Sequence, residues 1–234
     1  IEAVGSDVAG AQVKVAKVDI SLKKGIGTLR GLSVANPKDF SQAKSIEFGE
    51  ISFAIDLNSI NKNPIIITKV LIDSPEITYE VNKSGSSNLL VIQKNVESYT
   101  GKKSSRDNPS NESAADRNES NSGYDTKNKK ESRKIIVDKI DINQGKINLV
   151  TPLSERKITA KLEDIHLTNI GRESDGATAA QIAQVVLQVL TKSSLDSASS
   201  LALKSGIDTF KKVIDEDLKS PGKAIEDLKN KFFK

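Results

Sequence analysis

Few residues in this chain have the type and spacing to do chemistry. The single histidine, His166, is a conceivable general base. It stands between Ile165 and Leu167 in an alternating pattern, which reads as a strand with His166 on the water-facing side. Glu163 and Asp164 are adjacent, so on a strand they project to opposite faces and cannot form a paired-carboxylate site. Cysteine is absent, which removes disulfides, thiolate zinc sites and a cysteine nucleophile. The remaining carboxylates are scattered, without the converging His, Cys or acidic side chains that a metal needs, so neither a metal nor another cofactor is expected. Gly25-Ile26-Gly27 lacks the later glycine and the following helix of a dinucleotide loop. Neither a Walker nor a G-x-S-x-G pattern occurs. The expectation is a protein without a catalytic centre.

Three lysines share one phrase: Val15-Ala16-Lys17-Val18-Asp19-Ile20, Ile67-Thr68-Lys69-Val70-Leu71-Ile72 and Val137-Asp138-Lys139-Ile140-Asp141-Ile142. They could hold phosphate headgroups, but lysine on the polar face of a strand also serves solubility and blunts edge pairing, and that reading is preferred. Lys127, Lys129, Lys130, Arg133 and Lys134 could touch an anionic surface; a solvated linker is the plainer account. The apolar set Phe48, Phe53, Ile55, Ile67, Ile72, Ile77 and Tyr79 differs in kind. These residues alternate inward on successive strands and face either a packed core or a groove open to an acyl chain.

The elements that position them follow from the patterning. The chain has 234 residues, a net charge of +4 and 4% aromatic residues, so a mainly aliphatic core and a mixed surface are expected, not a nucleic-acid footprint. It contains no methionine and begins at Ile1, which suggests a processed or excised piece whose N-terminal anchor lies upstream. Residues 1–10 read as a small, flexible leader. Residues 11–176 read as a β domain, with parity slips at Ala16-Lys17, Gly49-Glu50 and Asp138-Lys139 that predict bulges or bends. Pro75 restricts the strand from Glu76 to Val81 to an edge or to a start just after the proline. Asn88 is placed as the cap of a short helix with Leu89, Ile92, Val96 and Tyr99 on one face. From 101 to 133 the apolar content vanishes, which predicts a disordered insertion. Residues 177–234 read as helical, opened by a capping box of Thr178 and Gln181, with softer helical patterns over Leu201–Leu218 and Ala224–Phe233.

The string VKVAKVDISLKKGIGTLRGLSVANPKDF resembles the opening of small AsmA-like proteins of the bacterial envelope. The resemblance continues through Ala43-Lys44-Ser45-Ile46, Ile55-Asp56-Leu57-Asn58-Ser59-Ile60, IDSPEITYE and Asn88-Leu89. It resumes after the polar insertion at IIVDKIDINQGKINLV, KLEDIHLTNIG and Gly176-Ala177-Thr178. It covers roughly residues 5 to 200 and rests on the order and spacing of these segments together. It implies a periplasmic domain tethered to the inner membrane by a helix upstream of Ile1, related to bridge-like lipid carriers whose curved sheet forms an apolar groove.

The expected fold is therefore α+β: a curved, bulged, mainly antiparallel AsmA-like sheet with a short helix after the fifth strand and C-terminal helices. With about 4.8 Å between strands, ten or so strands would make a groove of roughly 50 Å. The expected function is non-enzymatic lipid handling or outer-membrane homeostasis through that groove, with a phospholipid or other acyl-chain ligand. The alternative is a structural or adaptor module that docks an envelope protein by a sheet edge or by its C-terminal helices. A further reading, a lipid- or desiccation-related β-sandwich, comes from Val34-Ala35-Asn36-Pro37.

Overall fold

Alternation of period two dominates the chain as far as Ile170. The computed structural model, which describes residues 1–106, 133–151 and 154–205, gathers these stretches into one sheet. Its strands are β1 (Val13–Lys14), β2 (Lys17–Ser21), β3 (Ile26–Ala35), β4 (Lys44–Ile55), β5 (Ile65–Asp73), β6 (Glu76–Glu80), β7 (Ile135–Asn143), β8 (Lys146–Thr151), β9 (Ser154–Lys161) and β10 (Ile165–Ile170). The helices are α1 (Glu2–Ala9), α2 (Asn88–Arg106) and α3 (Ala179–Ser205). The class is α+β, as the patterning predicts. The sheet is curved and mostly antiparallel; β5 with β7 and β6 with β8 are the parallel pairs.

The ten strands are arranged as six long ribbons. Strand β4 pairs Glu50 with Asp73 of β5 and Glu47 with Glu76 of β6, a single register on both sides of the gap. The same continuity joins β7 to β8, through Asp73 with Asn143 and Glu76 with Lys146. It joins β9 to β10, through Lys146 with Lys161 and Ile142 with Ile165. It joins β1 to β2 along β3, through Lys14 with Ser33 and Lys17 with Arg30. Six ribbons are roughly 29 Å wide at about 4.8 Å each, against roughly 50 Å for ten strands side by side.

Four of the six ribbons break in one transverse row, at Ala16, Ser74, Gln144 and Glu163, while β3 and β4 run through it at Gly31 and Gly49; this row is the crease of the sheet. Gly31, Ser74 and Gln144 adopt φ of 62°, 49° and 57° there, a left-handed conformation that redirects a strand. Position 31 suits glycine doubly, because a Cβ would come within 2.8 Å of the Ala16 Cβ. The Ala16 N–H donates to the Arg30 carbonyl at 3.1 Å while Lys17 is the Cα partner of Arg30. The ribbon is therefore interrupted at the expected slip, Ala16-Lys17, but Lys14 with Ser33 and Lys17 with Arg30 keep one register, so the interruption adds no residue to the strand. Pro75 follows the crease and β6 starts at the next residue, the second of the two positions its missing N–H allows. The pairing is irregular in a second row, Thr68-Lys69, Asp138-Lys139 and Asn169, the last with a φ of 59°.

Helix α2 packs on β6, α3 packs on β8 and β9, and α1 packs on β1 and α2. Leu89, Ile92 and Val96 of α2 are buried and Tyr99 packs at their margin, as the spacing predicts. Thr178 and Gln181 form the reciprocal capping box at 2.8 and 3.3 Å. Asn88 is the first helical residue and not the cap outside it. Its Oδ1 accepts the N–H groups of Leu89 and Glu80, each at 2.9 Å.

Two expectations along the chain change. Residues 2–9 are a helix, not a flexible leader: Glu2 sits in its first turn, Val8 and Ala9 are buried, and Gly10 closes it in the left-handed conformation. Residues 101–106, assigned to the insertion, continue α2; lysine and arginine are good helix formers. The rest of the expected insertion, 107–132, and the helical patterns beyond 205 lie outside the described residues. Among those described, no helix is long and apolar enough to cross a membrane.

Candidate functional site

The sheet is polar on one face and apolar on the other. On the polar face beyond the crease, Arg30 donates to Glu50 at 2.8 Å and to Asp19 at 3.2 Å, and Lys17 pairs with Asp19 at 3.0 Å. On the opposite face, register lines up Val18, Leu29, Ile51, Ile72, Ile142 and Ile165 in one row across all six ribbons. The next row is Ile20, Gly27, Phe53, Val70, Ile140 and Leu167. A single buried cluster takes in apolar residues from both sides of the crease.

Burial along these rows is graded. At the β5 and β7 end, Ile72, Ile140 and Ile142 are 4%, 1% and 2% exposed; toward β3 and β4 the residues are half-buried; on β2, Val18 and Ile20 reach 43% and 55%. The seven exposed large hydrophobics among the described residues are Ile1, Val4, Val18, Ile20, Leu22, Ile26 and Leu57. Val18, Ile20 and Leu22 form one alternating run on and just after β2; Ile1 and Val4 belong to the α1 end of the chain, Ile26 pairs with Ser21 and Ala54 at the start of β3, and Leu57 follows β4. The uncovered run on β2 continues the apolar rows, as a binding region would.

The seven residues singled out from sequence divide along this gradient. Ile72, Ile77 and Tyr79 belong to the buried core, at 4%, 1% and 0% exposure. Phe48 and Ile67 are half-buried and pack against it. Phe53 and Ile55 are half-buried and lie outside the buried cluster, toward the open end. The Phe53 ring lies over Gly27, where a Cβ would approach it to 2.2 Å. Parity alone placed all seven on the apolar face; it carries no information on which side of the crease a helix would cover. Val18, Ile20 and Leu22, the most open part, were visible as one alternating run.

The lysines face water. Lys17, Lys69 and Lys139 are exposed, and two of them pair with the acid two residues on: Lys17 with Asp19, and Lys139 with Asp141 at 3.0 Å. His166 is also on the polar face, its Nδ1 2.7 Å from Asp141 Oδ1. The hydrogen bond from His166, reinforced by Lys139, holds Asp141 below the usual aspartate range although burial opposes it. Among the described residues no hydroxyl bonds the other ring nitrogen of His166, so the pair lacks the nucleophile of a triad. No cluster of three or more possible metal ligands occurs among them either.

Two polar features were not legible in the sequence. Glu80, 4% exposed, accepts from Asn36 Nδ2 at 2.9 Å and from the Gln42 N–H at 3.0 Å, and also from the Ser41 N–H. Asn88 Nδ2 donates to Asn36 Oδ1 and to the Thr78 carbonyl, each at 2.7 Å. This latch ties the 36–43 loop to β6 and to the start of α2. The second feature is a cleft of about 460 Å³ between α3 and the β9–β10 break, lined by Lys161, Glu163, Asp164, Lys192 and Asp196 beside Ile165 and Val189. Its charged wall does not suit an acyl chain, and it lies away from the exposed apolar end.

No protein-family model matches the chain, and no curated protein matches it.

Proposed function

We propose that this protein is a non-enzymatic envelope protein of AsmA-like type that handles lipid, with an acyl chain lying along the apolar face of the sheet where β2, β3 and β4 are uncovered. The observation that carries the reading is the gradient from Ile142 at 2% to Ile20 at 55% exposure along one continuous apolar surface. Such a strip gains roughly 25 cal/mol for each Å² it removes from water, so an acyl chain is a fitting occupant. The polar opposite face keeps the sheet in water while the apolar face is occupied. A periplasmic location and a tether to the inner membrane follow from the resemblance of the sequence and belong to the same proposal.

The test is native mass spectrometry of the protein purified from cells, with binding of an apolar fluorophore measured in parallel. Co-purified phospholipid and fluorophore binding that Ile20→Asp and Phe53→Asp both reduce are the expected results. Absence of lipid together with absence of fluorophore binding rules the reading out. The second reading, an adaptor that docks a protein by a sheet edge, is favoured by one observation: among the described residues, β2 is an edge strand that pairs only with β3.

A further inference from the structure

The two halves of the β1–β2 edge are treated differently by the rest of the chain. Along β1, α1 closes the edge: Ser6 Oγ accepts the Val13 N–H at 2.9 Å and a Glu2 carboxylate oxygen accepts the Val15 N–H at 2.7 Å. An edge blocked in this way cannot template another strand. Along β2, from Lys17 to Ser21, no described residue hydrogen-bonds the outer edge. This open stretch carries the uncovered apolar residues Val18 and Ile20, and its outward face carries Lys17 and Asp19.

We infer that the open edge of β2 pairs with β2 of a second copy of this chain, antiparallel, about a two-fold axis at Val18. The sequence Lys17-Val18-Asp19 is self-complementary in this register. Lys17 of each copy faces Asp19 of the other on the polar side, while the two Val18 side chains meet on the apolar side. This is the isologous pattern of a two-fold dimer, and opposite charges directly across an antiparallel pair stabilise it. The length of the free edge fits. Pairing can run only between α1, which blocks β1, and the turn after Ser21, and these limits leave room for one short strand.

Surface chemistry at the two limits agrees with the register. Antiparallel pairing brings the turn after β2 of one copy, with Leu22 65% exposed, beside α1 of the other, where Val4 is 57% exposed. Val4, Val18, Ile20 and Leu22 are among the exposed large hydrophobics of the described residues, and the interface would cover them. The apolar faces of the two copies then join across the axis, so a strip six ribbons wide becomes one twice as wide. The pairing rests on edge geometry and charge, not on the lipid reading, and either can fail alone.

The experiment uses charge variants and sedimentation velocity over a dilution series of the intact chain. Lys17→Asp gives a copy with two acids on this edge, and Asp19→Lys gives a copy with two lysines. Each alone sets like charges opposite one another and is expected to associate roughly tenfold more weakly, or worse, than wild type. Mixed in equal amounts, the two variants regain opposite charges at both positions and are expected to form a heterodimer. Circular dichroism and a thermal melt check that each variant is folded, and recovery on mixing is a second check. A wild type that stays monomeric at every concentration, variants that dimerise as well as wild type, or a mixture that stays monomeric would each overturn the pairing. If the pairing fails while fluorophore binding persists, only the dimer is lost; if a dimer forms without lipid binding, only the lipid reading is lost.

Discussion

The same six ribbons cross the crease with the same alternation, yet their apolar faces end up differently on the two sides. On one side Ile77, Ile147 and Leu149 are 1%, 0% and 0% exposed beneath α2 and α3. On the other, burial holds at β5 and β7 but falls away toward β2, where Ile20 is 55% exposed. Strand chemistry does not distinguish the halves, since β-branched residues supply both. What differs is the supply of helices: the three described ones pack on the β1, β6, β8 and β9 side. An alternating strand specifies that a face will be apolar, and a separate element decides whether that face is core or surface.

The largest expected effect comes from testing this difference directly. Ile147→Ala, in the covered half, should cost about 3 kcal/mol, because the lost methyl groups leave a cavity that rigid neighbours cannot fill. Ile20→Ala, in the open half, should stay within about 0.5 kcal/mol, since most of that side chain is already in water. Urea unfolding of both variants measures the gap. Comparable losses would mean that Ile20 is covered in solution, and the two halves would not differ as described.

The next effect concerns what anchors the covered half. Glu80 is a buried carboxylate with Asn36, Ser41 and Gln42 donating to it. Glu80→Ala removes the acceptor and leaves those donors facing a space without a partner, which should cost about 2 kcal/mol in urea. Its influence should stop at the crease, so fluorophore binding at the open end should be preserved once the variant is folded. A variant that unfolds no more easily than wild type would show that the loop is held by other contacts.

A smaller effect is expected at Gly27, whose missing Cβ leaves room for the Phe53 ring. Gly27→Ala forces that ring aside. Because Phe53 is half-buried at the open end, the ring can swing toward solvent, and the cost should be about 1 kcal/mol. Binding of the fluorophore should change more than stability does. If stability falls instead by the amount seen for Ile147→Ala, Phe53 belongs to the rigid core and the open half is smaller than the exposures indicate.

How much of this was legible depends on range. The α+β class, the strand interruption at Ala16-Lys17, the start of β6 after Pro75 and the Thr178–Gln181 box are local features, and local residue patterns express them. The collapse of ten strands into six ribbons was not legible, because it depends on registers shared by residues such as Glu47 and Glu76, far apart in the chain. The recurring lysine phrase shows the limit well. Its copies on β5 and β7 lie side by side in parallel, with Ile72 beside Ile142. The copy on β2 begins before the crease, and its Val18 falls in the row of Ile72, not of Val70. For the site, parity found the apolar face, but the open end was set by where α1, α2 and α3 pack. The Asn36–Glu80–Asn88 latch joins three separate segments, and no spacing announces it.

The smallest expected effect compares two carboxylates on the polar face, one in each half. Asp141, beyond the crease, is held below the usual aspartate range chiefly by the hydrogen bond from His166 and then by Lys139, against its own desolvation. Glu76, in the covered half, is held low chiefly by Lys157, at 3.1 Å, and then by Asn148. A carboxylate lowered on folding adds stability above its ordinary range, about pH 4 for both types, and that contribution vanishes as pH falls through the lowered value. His166→Ala and Lys157→Ala should therefore each cost less than about 1 kcal/mol at neutral pH, and both differences from wild type should shrink to nothing in acid. Salt separates the two sites. The side chains of Glu76 and Lys157 are 44% and 50% exposed, so added salt should remove most of the Lys157 effect. Asp141 is 8% exposed, so the His166 effect should largely survive. Urea titrations at two pH values and two salt concentrations read all of this. Equal salt sensitivity would show that Asp141 is as open to water as Glu76, and that the polar face beyond the crease is looser than its hydrogen bonds imply.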